Sequence, residues 1–244
     1  MLTVQRKQHL IELLARERRV VAKEVALALG VSEDSIRRDL RELAAAGECV
    51  RVYGGAVPID AVERPVGQRH DIATASKNRV ARSAVGHIRA GSTVMLDAGT
   101  TTLAMARMLP NGSGLTVVTP SPAVALAAAE NSDARVLMIG GELTRHSMVA
   151  GGALALEAIQ HLASDMFFMG ATGIDPVHGL TCASLDDAVT KRALAARSAD
   201  VFVLGSEEKI GGAWPVPVLG LDRISGVIVD PEDRNPLIAR LPQA

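Results

Sequence analysis

The loop Asp97-Ala-Gly-Thr-Thr-Thr102 brings a carboxylate, a glycine and three hydroxyls to one place in the chain. It follows a short apolar run and leads directly into a helical stretch. In that setting Gly99 lets the backbone approach an anion, Thr100, Thr101 and Thr102 offer donors, and the first amides of the helix add partial positive charge. Phosphate suits these donors better than any other group. A threonine-rich strand-to-helix turn with no ligand has the same pattern, and G-T-T-T alone does not separate the two. Lys209, in Gly205-Ser-Glu-Glu-Lys209-Ile-Gly211, is either the counter-charge or one exposed lysine among several. Gly140-Gly141, Gly151-Gly152 and Gly170-Ala-Thr-Gly173 add closely approachable backbone to the same rim, although glycines also serve packing and turns.

A different chemistry is written near the start, in Val31-Ser-Glu-Asp-Ser-Ile-Arg-Arg-Asp-Leu40 and then Arg51-Val-Tyr-Gly-Gly-Ala56. Ser32 can cap a helix in which Ile36, Leu40 and Leu43 share one face. That leaves Glu33, Asp34, Ser35, Arg37, Arg38 and Arg41 outside. Arginine forks onto guanine O6 and N7, Ser35 can bond a base edge or a phosphate, and the positive end of the helix dipole favours phosphate. Arg51 and Tyr53, on a following hairpin over Cys49 to Val57, can reach sugar-phosphate. The candidate DNA-reading set is therefore Ser32, Glu33, Ser35, Arg37, Arg38, Arg41, Arg51 and Tyr53. A small helical bundle whose arginines merely solvate its surface has a similar pattern.

These residues need elements to position them. Leu10, Ile11, Leu13 and Leu14 predict a helix from about Val4 to Glu17, and Val25, Ala26 and Leu29 a second from Ala22 to Leu29, stopped by Gly30. The order is helix, turn, helix, wing, an arrangement that seats one helix in the major groove. Residues 59–73, with Pro65, Gly67 and mixed charge, read as a linker between a domain at 1–58 and another at 74–244. From Thr74 the pattern changes. After a helix carrying Val80, Ala81, Ala84, Val85 and Ile88 and ending near Gly91, apolar strand-like runs recur at Val94–Leu96, Leu115–Thr119, Val136–Ile139, Met166–Met169, Val201–Leu204 and Val227–Val229. Alanine-rich helices lie between most of them. Nearly continuous apolar strands alternating with helices predict a doubly wound, mostly parallel α/β domain covered on both faces, with ligands at the carboxyl ends of the strands.

Composition narrows the classes. The 244 residues are 48% hydrophobic, with a formal charge of −1 and two cysteines, Cys49 and Cys182. Residues 1–58 hold ten Lys/Arg against eight Asp/Glu and the remainder 16 against 19, an asymmetry of the right sign for DNA but too small to argue alone. No apolar run is long enough to span a membrane, no signal peptide is expected, and neither a disulfide framework nor a metal-ligand spacing emerges. A cytoplasmic address follows as an expectation.

The two segments together resemble the DeoR family of bacterial transcription regulators. Its V-S-x-x-T-I-R-R-D-L and R-V-H-G-G-A strings appear here as VSEDSIRRDL and RVYGGA, with Ser35 for threonine and Tyr53 for histidine. The likeness continues through DAGTTT, IGG, GATGID, SEEK and IVD; Ser206 stands where the family usually has aspartate and Pro120 where it has asparagine. It implies a winged helix-turn-helix domain joined to an effector domain related in fold to ribose-5-phosphate isomerase. It further implies a sensed sugar phosphate, with Asp97, Gly99, Thr100, Thr101, Thr102, Gly141, Asp187 and Lys209 as effector-binding residues.

An isomerase on that fold needs carboxylates to move a proton between carbons. Here the comparable loop reads Met169-Gly-Ala-Thr-Gly-Ile-Asp175, with Thr172 and Gly173 where acids would stand, and the surviving Asp187 reads more simply as a helix cap. The expectation is a regulator with no catalytic residues, cofactor or metal: a homo-oligomeric repressor of a carbohydrate operon that binds operator DNA and is induced by a phosphorylated sugar. The alternative is a sugar-phosphate isomerase-like enzyme carrying a DNA-binding appendage.

Overall fold

A computed structural model describes residues 2–17, 20–52, 54–57 and 71–244. The first part packs α1 (Thr3–Glu17), α2 (Ala22–Leu29) and α3 (Glu33–Ala45) around Leu10, Leu14, Ile36 and Leu40. Gly30 ends α2 in a left-handed conformation, and the Ser32 hydroxyl accepts the Ser35 amide to start α3, so the turn is set by two local signals. The hairpin β2 (Val50–Val52) and β3 (Gly55–Val57) is joined by a two-residue strand, β1 (Val20–Val21), in the order β1-β3-β2. That third strand escapes sequence reading. The paired glycines divide the work there: Gly54 takes a φ of +77°, and a Cβ on Gly55 would lie 1.7 Å from the Val20 carbonyl oxygen.

The larger part is built on six parallel strands: β4 (Thr93–Leu96), β5 (Thr116–Thr119), β6 (Arg135–Met138), β9 (Ser164–Gly170), β12 (Ser198–Gly205) and β14 (Gly226–Val229). These are the six expected strands. Alternate residues point to opposite faces, so Val94, Leu96, Met166 and Phe168 pack under α4 (Thr74–Val85), α5 (Thr100–Ala106) and α6 (Pro122–Asn131). Met95, Phe167, Met169 and Val203 pack under α7 (Gly152–Gln160) and α8 (Leu185–Ala195). Burial on both sides is why each strand reads as an unbroken apolar run. Helix α4 stops at Val85 rather than near Gly91; His87 and Ile88 close the last turn with bonds to Ala84 and Val85, a tighter i to i−3 pattern.

Two small antiparallel additions were not expected: the hairpin β7 (Glu142–Thr144) with β8 (Val149–Gly151), and the sheet β10 (Gly173–Asp175), β11 (Gly179–Cys182) and β13 (Val216–Leu219). The large sheet runs β14-β12-β9-β4-β5-β6. The first strand of the series therefore sits beside the fourth, and the chain winds outward in both directions from the β4/β9 pair. That reversal opens a crevice at the carboxyl ends of β4 and β9.

Candidate functional site

The crevice is where the predicted loop lies. Its cavity, about 60 Å³, is walled by Ala98, Gly99 and Thr100 after β4, Gly170 to Thr172 after β9, Asp187 and Lys191 of α8, Lys77 of α4, and Glu208 and Lys209 after β12. Thr172 and Glu208 also line an adjoining groove of about 540 Å³. Ligand pockets run to roughly 300–1,000 Å³, so the inner cavity has room for an anionic head group while the rest of a ligand lies in the groove.

The structure separates the expected effector residues. Gly99, Thr100, Asp187 and Lys209 line the cavity. Asp97 does not: it is 1% exposed, one oxygen accepts the Ala98 amide and the other accepts the Gly170 amide and the Lys191 ammonium. It braces the two strand ends across the crevice instead of facing it. Thr101 and Thr102 are also buried off the cavity wall; the Thr102 hydroxyl donates to the Gly99 carbonyl, while Thr101 Oγ1 is buried with no hydrogen-bond partner. Of the three threonines, Thr100 alone lines the cavity. Gly141 serves packing, since a Cβ there would meet the Gly151 carbonyl oxygen at 2.4 Å. Asp187 is no helix cap. Ser184 caps α8, and the Asp187 carboxylate pairs with Lys191 at 3.3 Å.

Two cations were missed. Lys191 and Lys77 are 5% and 4% exposed, and they come from helices on opposite faces of the sheet. Burial alone would lower the Lys191 ammonium, but the Asp187 and Asp97 carboxylates and the hydrogen bond it donates to Asp97 hold it above its ordinary value. Burial pushes the Asp97 carboxyl up, against the pull of Lys191. Lys77 stands 3.6 Å from Glu208 Oε1, which also accepts the Ser206 hydroxyl. Ser206, in the usual aspartate position, thus orients Glu208. Pro120, in place of asparagine, gives its carbonyl to the Ala150 amide. Asp175, at the end of the loop compared with the isomerase, is engaged in a turn, accepting the amides of Val177 and His178 and contacting the His178 ring.

At the other end of the chain, α3 presents Arg37, Arg38 and Arg41 to solvent, and Arg51 is exposed on β2. Arg37 is bridged to Glu33 at 2.7 Å, one turn back, so it must leave that partner to reach a base. The Ser32 and Ser35 hydroxyls lie 2.9 Å apart and engage each other. Tyr53 lies outside the described residues. Asp39, inside the arginine-rich string, is 1% exposed and takes a forked ion pair from Arg6 of α1. It fixes the recognition helix against α1 and so belongs to the scaffold.

Among the described residues no His/Cys/Asp/Glu group could hold a metal ion, and no helix is long and apolar enough to cross a membrane. Residues 6–62 match the model of the DeoR-like helix-turn-helix domain and residues 72–231 that of the DeoR C-terminal sensor domain. The chain is 33% identical over 232 residues to the HTH-type transcriptional regulator GlpR of Haloferax volcanii, covering 94% of this chain and 91% of that protein. It is 33% identical over 227 residues to the glycerol-3-phosphate regulon repressor of Escherichia coli K12, covering 93% and 90%. Among solved structures, ribose 5-phosphate isomerase A of Methanocaldococcus jannaschii aligns with a TM-score of 0.41 at 16% identity, over 55% of this chain and 53% of that one.

Proposed function

We infer the function from one premise: the chain belongs to the DeoR family of helix-turn-helix transcriptional regulators. It is a DNA-binding regulator and not an enzyme. In our reading it is a cytoplasmic repressor of a carbohydrate-utilisation operon, released from its operator by a phosphorylated sugar or polyol. Residues 1–58 bind DNA, 59–73 link, and 74–244 sense. Arg37, Arg38 and Arg41 read the major groove, with Arg51 and Tyr53 of the wing on the backbone. The effector's phosphate sits in the crevice on the amides that open α5, beside Gly99, Thr100 and Lys209, and its hydroxyls extend into the groove. A homo-oligomer presents paired recognition helices to repeated half-sites.

The observation that carries the sensor reading is the small cavity at the sheet's reversal point, walled by Lys77, Lys191 and Lys209. The name of one relative, the glycerol-3-phosphate regulon repressor, adds a direction for the ligand search. A ligand that binds only the folded state raises its melting temperature by mass action. A thermal-shift screen of phosphorylated sugars and polyols, starting with glycerol 3-phosphate, followed by operator binding with each hit, is the test. A compound that stabilises the protein and weakens operator binding supports the reading. Stabilisation only by unphosphorylated sugars would overturn it.

A further inference from the structure

Lys77 has no place in the sequence-derived site, and its surroundings give it two connections. It lines the cavity, and it belongs to the first turn of α4, the helix that follows the segment joining the two domains. That turn is tied to the residues just past the carboxyl ends of β12 and β14. The Ser76 hydroxyl accepts the Glu207 amide at 3.2 Å, and Arg79 makes a forked pair to Asp230 with both bonds at 2.7 Å. Lys77 adds the ion pair to Glu208, whose nitrogen–oxygen separation of 3.6 Å is long against the ~2.7–2.9 Å of a good charge-assisted hydrogen bond. The second Glu208 oxygen, Oε2, is buried with no hydrogen-bond partner. Lys191, by contrast, is held by two carboxylates. The Lys77–Glu208 separation of 3.6 Å also exceeds the 3.3 Å between Lys191 and Asp187, so this contact has room to exchange.

We propose that Lys77 is an effector ligand and a transmitter: the incoming anionic group takes the Lys77 ammonium from Glu208. The loosened Glu208 then accepts hydroxyl donors from the rest of the ligand. The exchange pulls the first turn of α4 toward the crevice, and with it the end of the interdomain segment. Effector occupancy thereby biases the DNA-binding domain through a contact present in one state and absent in the other, which is what coupling between the sites requires.

The inference rests on the reading of the crevice as an anion site, and the experiment separates the two. Inorganic phosphate and glycerol 3-phosphate are titrated against the full chain by thermal shift, with operator affinity followed by fluorescence anisotropy. Variants are Lys77→Met, Lys77→Arg and Glu208→Gln. Lys77→Met should bind phosphate at least tenfold more weakly and keep its operator affinity when glycerol 3-phosphate is present. Lys77→Arg should retain part of the response. Glu208→Gln removes the competitor and should tighten inorganic phosphate severalfold. Opposite signs are required, but a bystander charge beside the site also gives them. The operator readout separates the two: a Lys77 that only adds to the local field would leave saturating glycerol 3-phosphate able to release the Lys77→Met protein from its operator, and that release would refute the exchange. If wild type binds the anions but Lys77→Met and Glu208→Gln shift in the same direction, or neither shifts, the exchange is refuted and the anion site stands. If wild type binds neither phosphate nor any phosphorylated compound, both fall. Should Lys77→Met fail to fold, weaker phosphate binding by Glu208→Gln still refutes the exchange.

Discussion

Replacing Lys191 with methionine tests the charge balance on which the crevice depends. The substitution keeps the volume and removes the ammonium that joins Asp97 to Asp187. Stripping one partner from a buried ion pair costs about 3–5 kcal/mol because the other charge is left uncompensated. Two features put this case at the lower end. Asp97 keeps the Ala98 and Gly170 amides, and the Asp187 side chain is 12% exposed and can turn toward water. A loss of ~3 kcal/mol in a sensor domain of this size lowers Tm by roughly 6–12 °C. The loss should depend on pH in a defined sense. Without Lys191, burial and Asp187 raise the Asp97 carboxyl further above its ordinary 3.8. A raised folded-state value means that the folded protein holds a proton the unfolded chain has released, so stability falls as pH rises through that value. The deficit relative to wild type is therefore larger at pH 8 than at pH 5. Calorimetry of both proteins at the two pH values measures it. A Tm drop below ~2 °C at pH 8, or an equal drop at both, would refute the claim that an obligatory buried charge braces this site.

Other consequences follow from the same geometry. Arg38→Ala should weaken operator binding by about 1–3 kcal/mol if it reads a base, and uniformly across sequences if it touches only phosphate; anisotropy titrations against operator and scrambled DNA distinguish these. Gly55→Ala forces a methyl group into the Val20 carbonyl, so it should unpair β1 from β3 and abolish operator binding while leaving ligand-induced stabilisation of the sensor intact. Asp230, held at about 2 by the hydrogen bond from Arg79, contributes stability that is complete above 3.8 and lost as pH falls through about 2. Arg79→Leu should flatten the acid limb of the denaturation profile over that window, seen as a smaller loss of Tm on acidification than in wild type.

The division between what was legible and what was not follows the range of the interactions. Gly30 and Ser32 act within a few residues of themselves, so that turn and that cap are local chemistry. At α8 the sequence points to Asp187 as the cap, whereas Ser184 caps the helix and Asp187 turns to a lysine. All six parallel strands were visible because burial on both faces leaves an apolar run that needs no partner to be recognised. Strand β1 is two residues long and exists only because Ala56 and Gly55 pair with it. The hairpin of β7 and β8 and the sheet of β10, β11 and β13 are equally products of pairing, with no periodicity long enough to read.

The candidate site divides in the same way. Gly99 and Thr100 were legible because the strand-to-helix loop carries its own donors, and Arg37, Arg38 and Arg41 because a helix face is periodic. Lys77, Lys191 and Asp39 resemble solvated surface charge in the chain. Whether a charged side chain is buried depends on its partner, and the partners lie far off: Asp97 is 94 residues from Lys191, and Arg6 is 33 from Asp39. By itself, then, the amino-acid order determined a helix-turn-helix, a parallel sheet and a threonine-rich strand-to-helix loop. Folding decided which hydroxyls face the crevice and which lysines enter it, because a charge's environment is set by neighbours that only the tertiary structure supplies.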